Sequence, residues 1–214
     1  MDFVVYSDIT ASFNHKANPT MTKRYSLMLF LMLMTSSGIS QAQCFQPSPN
    51  LLAMGDRYYH QLQPHQWSSK DEKIKDALLD AAEDDWKGDY SESECFGSDK
   101  NPREVQRTAS VKADITNVMK GTLKLSAWKK FAAEGKTESD VVQLFDERHV
   151  FSGDVSKTNL RTAEVHAARL AGGGRRMDEI LSTLEINGDR LTLTRKIYYN
   201  GYLGRVERYS LQRD

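Results

Sequence analysis

Residues 178–211 read DEILSTLEINGDRLTLTRKIYYNGYLGRVERYSL, and this stretch decides the fold. Two Asn-Gly pairs, Asn187-Gly188 and Asn200-Gly201, interrupt runs in which apolar and polar residues alternate. Asn-Gly favours the positive backbone φ of a two-residue type I′ turn, whose twist suits a β-hairpin. A three-stranded antiparallel meander is therefore expected. With two-residue loops, Leu184 faces Leu191, Ile180 faces Arg195, and Ile186, Leu193 and Ile197 share their side of the sheet. Across the second turn Tyr199 meets Tyr202, Ile197 meets Gly204, Arg195 meets Val206 and Leu193 meets Arg208. The opposite side pairs Glu185 with Arg190 and Thr183 with Thr192, which suits water.

The same alternation extends upstream. Val111–Val118 and Leu123–Phe131 read as a hairpin through Met119-Lys120-Gly121, a three-residue loop with glycine last. That loop sets Ile115 against Leu125 and Ala113 against Ala127. Val141–Phe151 and Thr162–Leu170 are further strand candidates, and Gly172-Gly173-Gly174 is a flexible tip. Ahead of the strands, Ser68-Ser69 offers a helix N-cap, with Asp71 and Glu72 in the first turn. Ile74, Leu78, Leu79, Ala82 and Trp86 recur at helical spacing, predicting a helix to near Asp85. Residues 43–67, with Pro47, Pro49 and Pro64, read as irregular, holding a short helix near Leu51 to His60. The expected class is mainly β: an antiparallel meander closing into a small barrel with an N-terminal α-helix, over residues 68–214.

Trp86-Lys87-Gly88-Asp89-Tyr90, on the first strand behind the helix, resembles the opening of lipocalin-like (calycin-type) barrels. Val206-Glu207-Arg208-Tyr209 resembles the closing strand of the fatty-acid-binding branch. The resemblance spans residues 86–211 and implies a lipocalin-like barrel. Likeness of fold does not fix a function, so function is argued from individual residues.

The start of the chain carries an address. Lys23 and Arg24 precede the apolar run Leu27 to Met34, followed by small polar residues and Ser40-Gln41-Ala42. Positive, apolar, then small-x-small is the layout of a secretory signal peptide over residues 21–42. A transmembrane anchor would need about 20 apolar residues. Residues 1–20 are neither basic nor periodic, so they read as an upstream extension, with translation starting at Met21. The expected location is periplasmic or secreted. There, the chain's two cysteines, Cys44 and Cys95, read as a structural disulfide.

Composition narrows the function. The chain has 214 residues, with 29 basic and 29 acidic side chains and 39% hydrophobic residues. That balance excludes wholesale disorder and a multi-span membrane protein. It also argues against nucleic acid, which demands a basic surplus. The charge is uneven, however. Residues 70–95 hold ten acidic and four basic side chains, whereas 190–213 hold six basic and one acidic. The acidic helix packing near the basic strands explains this, as does a positive patch that meets an anionic envelope component.

Catalytic signatures are absent: the sequence has no G-x-S-x-G, no H-E-x-x-H and no calcium-loop spacing. Gly172-Gly173-Gly174-Arg175-Arg176 can wrap a phosphate, but a mobile hairpin tip with solvated charges is the favoured reading, because glycine so commonly marks turns. Glu164 with His166, and Glu147 with His149, share strand faces as metal or acid–base pairs, yet no third ligand stands at readable spacing. No cofactor or metal is therefore expected. The leading site is Arg195 with Arg208, diagonal neighbours on the otherwise apolar face of the meander. Guanidiniums do not enter an apolar interior without anions. Their partner is either Asp178, as an internal salt bridge, or a bound carboxylate or phosphate. Tyr199 and Tyr202 line the mouth in either case, and Leu184, Leu191, Leu193 and Ile197 form the wall. The expected function is binding of a small amphipathic or anionic ligand. The alternative is an envelope structural or protein-interaction module with a solid core.

Overall fold

The computed structural model describes residues 44–50, 62–119, 121–169 and 175–214, with side chains of all of these except 167–169, 175 and 176. The expected extension and signal peptide, the short helix near 51–60 and the Gly172–Gly174 tip lie outside the described residues.

Helix α1, Ser69–Ala82, begins where the sequence places it. Ser68 is the N-cap, and its hydroxyl accepts from the Asp71 amide at 3.2 Å. The helix stops at Ala82, short of Asp85, because Asp84 already belongs to the first strand. Trp86 is thus a strand residue, and its indole reaches back to donate to the Ala82 carbonyl at 2.9 Å.

Nine antiparallel strands follow: β1 Asp84–Ser98, β2 Asn101–Met119, β3 Thr122–Phe131, β4 Lys136–Asp146, β5 Val150–Val155, β6 Asn159–Arg169, β7 Arg175–Asn187, β8 Arg190–Tyr199 and β9 Tyr202–Arg213. Their order in the sheet is β4-β3-β2-β1-β9-β8-β7-β6-β5. The meander therefore joins its first strand to its last, and opens between β4 and β5 to give a half-barrel. The single strand expected over Val141–Phe151 is in fact two, because Glu147 to His149 turn between the edge strands.

Alternating residues of β1, β2, β3, β8 and β9 build the core: Trp86, Tyr90, Val111, Ile115, Leu123, Leu125, Leu191, Leu193, Tyr209 and Leu211, capped by Leu78 and Leu79 of α1. Ile115 faces Leu125 and Ala113 faces Ala127, as the glycine-ended loop requires. The seam is covered on its β5 side, where the His65 amide donates to the Val150 carbonyl at 2.7 Å and Trp67 packs over Gly153. Lys75 of α1 is buried and meets Glu147 of the seam turn at 3.0 Å.

The C-terminal meander departs from its expected register twice. At the first turn Asn187 pairs with Arg190, leaving Gly188-Asp189 as the loop. Of Asn187, Gly188 and Asp189, only Gly188 has positive φ, so this is a glycine-first turn rather than type I′ at Asn187-Gly188. The slip is two residues. Faces are therefore preserved, while Leu184 meets Leu193, Ser182 meets Arg195 and Thr183 meets Thr194. At the second turn Asn200 and Gly201 both have positive φ and Tyr199 pairs with Tyr202, as type I′ requires. A bulge between Ile197 and Tyr198 then shifts the pairing by one residue, so Arg195 faces Glu207 and Leu193 faces Tyr209.

Cys44 and Cys95 form a disulfide across a sequence separation of 51. It ties the N-terminal segment to the far end of β1. There the segment exchanges backbone hydrogen bonds with β9: Phe45 N to Leu203 O, Leu203 N to Gln46 O, and Ser48 N to Gly201 O. Among the described residues no helix is long and apolar enough to cross a membrane.

Candidate functional site

The bulge in β9, at Gly204, reorganises the expected site. Because a one-residue slip turns each following side chain to the other face, Arg208 points outward and is exposed, while Glu207 and Tyr209 take the inner face. Arg195 is 7% exposed, and its Nη1 donates to Glu207 Oε2 at 2.6 Å. The anion beside Arg195 is therefore Glu207 rather than Asp178, and the expected Arg195–Arg208 pair does not form. Asp178 pairs across the strands with Tyr199 and with His166. Tyr199 packs its ring over Gly204, and Tyr202 is exposed at the turn, where it bridges Pro47. Leu184, Leu191, Leu193 and Ile197 are all buried, as the expected wall.

Arg195 and Glu207 belong to a chain of ion pairs on the inner face. Glu207 also lies 3.7 Å from Arg205, whose Nη2 donates to Glu94 at 2.6 Å. Glu207 stands directly across from Glu92 of β1. Glu92 accepts from the Tyr90 hydroxyl at 2.7 Å and from Arg107 Nη1 at 2.9 Å. Arg107 continues to Glu134 and Glu138, and its guanidinium lies 3.9 Å from the Phe131 ring. Lys129 is buried against Asp140 at 3.2 Å, and its ammonium sits 3.9 Å above the Tyr90 ring and 5.5 Å from that of Tyr209. Two opposed carboxylates are tolerable here because guanidiniums flank both.

These neighbours fix protonation. Burial first, then the Glu207 carboxylate, push the Tyr209 phenol far above its ordinary range. Burial does the same to Tyr90, helped by Glu207 and Glu92. Both remain neutral hydroxyls and therefore hydrogen-bond donors. Burial works against the Arg205 charge, but its bond to Glu94 more than offsets this and the guanidinium stays charged.

Several buried polar atoms on this face have no hydrogen-bond partner: Nε of Arg195, Nε of Arg205, the Tyr209 hydroxyl and Oε1 of Glu164. Arg195 and Tyr209 are diagonal neighbours across β8 and β9, the relationship the unbulged register would have given Arg208. The site thus offers donors that are not spent on internal carboxylates, next to the apolar wall.

The two histidine pairs expected from the sequence resolve differently. Glu164 and His166 do meet, Oε2 to Nε2 at 3.2 Å, and the bond raises the His166 pKa against the opposing effect of burial. Glu147 instead serves Lys75, and His149 Nδ1 meets Asp146 Oδ2 at 3.1 Å. Asp146 is gripped by the side chain and amide of Arg148, which hold its carboxyl down to about 2. Among the described residues no group of three His, Cys, Asp or Glu side chains converges as metal ligands would.

Glu207, Glu92, Arg107 and Lys129 escaped the sequence reading. Parity carried the signal: Glu92 shares the alternation of Trp86 and Tyr90, and Lys129 stands between Ala127 and Phe131, all of them inward. The outer face carries a groove of mixed charge, with Asp89 in its lining. Arg208 and Lys130 border this groove of about 550 Å³ with Ser91, Thr108, Ser110 and Ser210. The acidic helix meets the basic strands at their end, where Arg213 donates to the Ala81 carbonyl and pairs with Asp84 at 2.9 Å. No protein-family model matches the chain, and no curated protein shows significant similarity to it.

Proposed function

We propose that the protein is exported and binds a small amphipathic molecule on the inner face of its half-barrel. The observation that carries this reading is the pair of buried, unpartnered donors Arg195 Nε and the Tyr209 hydroxyl, set beside the wall of Leu184, Leu191, Leu193 and Ile197. A buried donor without a partner is costly and is expected to be satisfied by water or ligand. Arg195 is already neutralised by Glu207, so a bare carboxylate or phosphate gains little there. A neutral head group with a carbonyl or hydroxyl oxygen, on an apolar tail, fits both donors without adding charge. The disulfide supports export, since such bonds persist in oxidising compartments.

Native mass spectrometry of the protein purified from its own export compartment tests the reading, with Tyr209→Phe as the partner variant. The wild type should carry added mass of one small-molecule class, and the variant, which keeps the ring and its packing, should lose it. A bare wild-type chain overturns the proposal. It would then favour the alternative, a solid module working from its exterior, where Arg208 and Lys130 border the groove that would meet an anionic envelope component.

A further inference from the structure

We propose that His149 and His166 form a two-histidine site for a divalent transition-metal ion, of the Cu²⁺, Ni²⁺ and Zn²⁺ class, at the open seam of the half-barrel. The two rings lie 5.3 Å apart, centroid to centroid, with an interplanar angle of 47°. Two imidazoles on one tetrahedral ion, with metal–nitrogen bonds of about 2.0–2.1 Å, place their centroids about 5 Å apart. The separation is thus the one an ion would ask for.

Each ring is already braced as metal-bound histidines are. His149 Nδ1 is held by Asp146 and His166 Nε2 by Glu164, which fixes the tautomers and leaves His149 Nε2 and His166 Nδ1 as lone-pair donors. Neither of those nitrogens has a hydrogen-bond partner among the described residues. The braces are themselves rigid. Asp146 is 1% exposed and gripped by Arg148 Nε and Nη2 at 2.9 and 2.7 Å. Glu164 is 2% exposed, so this brace too is held within the fold.

The rings themselves are reachable, with side chains 48% and 37% exposed, so an ion can enter and complete its shell with water. Imidazole suits these metals, and the Irving–Williams order puts Cu²⁺ first. His149 lies in the turn after β4 and His166 lies on β6, so the ion would clip the seam turn to β6, across the opening of the half-barrel.

Isothermal titration of the dialysed, metal-free chain with Cu²⁺, Ni²⁺ and Zn²⁺ in turn tests the site. One ion per chain should bind, Cu²⁺ tightest, and the Cu²⁺ spin-resonance spectrum should show coupling to two ring nitrogens. His149→Ala and His166→Ala should each weaken binding by more than about tenfold. Both rings are partly exposed, and circular dichroism of the variants verifies that they fold. No saturable binding by the wild type, or affinity unchanged in either variant, overturns the proposal.

Discussion

The Arg195 guanidinium meets the Glu207 carboxylate at 2.6 Å, directly across β8 and β9, because the bulge at Ile197/Tyr198 moves Glu207 into the place Val206 would otherwise hold. Both side chains are buried, so each is the other's main compensation for lost hydration. Arg195→Met leaves Glu207 with only Arg205 at 3.7 Å, and Glu207→Leu leaves Arg195 without a carboxylate. Either single change should cost about 3–5 kcal/mol. The double variant should cost much less than the sum, because two apolar residues suit this wall. Urea denaturation of the cycle measures the coupling, and strict additivity would show that the pair does not interact in solution.

Gly88 marks the place where β1 is sandwiched between β2 and β9. A Cβ at this position would collide with the Ser210 carbonyl oxygen on β9, a backbone atom that cannot rotate away. Gly88→Ala should therefore pry β1 from β9 locally and destabilise the chain by about 1–3 kcal/mol. Amide exchange should rise at residues paired across that junction, Gly88 with Leu211 and Tyr90 with Tyr209, before it rises in β3 or β4. Uniform loss of protection would contradict a local cause.

Turn chemistry and alternation made the strands legible, and hence the fold class. Breaks in alternation carried the rest. Gly204 of β9 is left unpaired opposite Ile197 and Tyr198, so alternation breaks in the run YLGRVERY: Leu203 and Glu207, four residues apart, are both buried but on opposite faces. Gly204 itself is the sign, since an isolated glycine within a strand favours a bulge; a regular register pairs it with Ile197 and so exchanges Arg208 for Tyr209 in the site. The seam had a plainer sign, since Asp146, Glu147 and Arg148 set three charges in the middle of an apparent strand. Long-range partners were not legible at all. Nothing local in the helix announces that Lys75 is buried against Glu147, because that contact depends on where the sheet opens.

The disulfide joins Cys44 to Cys95 across 51 residues and holds the N-terminal segment beside β9. In the chain-entropy account, closing a loop of that size stabilises the fold by about 4 kcal/mol. The Cys44→Ser/Cys95→Ser variant should lose stability of that order. It should also free the amides of Phe45 and Ser48 to exchange, as their bonds to Leu203 and Gly201 depend on the tether. Reduction of the wild type should reproduce both effects; protection of Phe45 without the bridge would show that the segment docks unaided.

Glu179 supplies a pH dependence whose sign can be worked out in advance. Its side chain is fully buried on the outer face, where Ser48 of the N-terminal segment donates to its Oε2 and Oε1 has no partner. Burial raises its pKa above the ordinary carboxyl value, and the Ser48 and Asn50 hydrogen bonds offset this only in part. Between the unfolded and folded values the folded chain keeps a proton that the unfolded chain has lost. Stability contributed by this group therefore falls as pH rises through that window, and the penalty is fully present above it. Glu179→Gln removes the charge while its amide oxygen still accepts from Ser48. The variant should melt higher at pH 7, by about 2–4 °C for each kcal/mol relieved. Its advantage should shrink toward zero as pH approaches about 4, the unfolded value. Thermal melts from pH 4 to 8 check this, and an offset that stays constant across the range would mean that ionisation of Glu179 is not its cause.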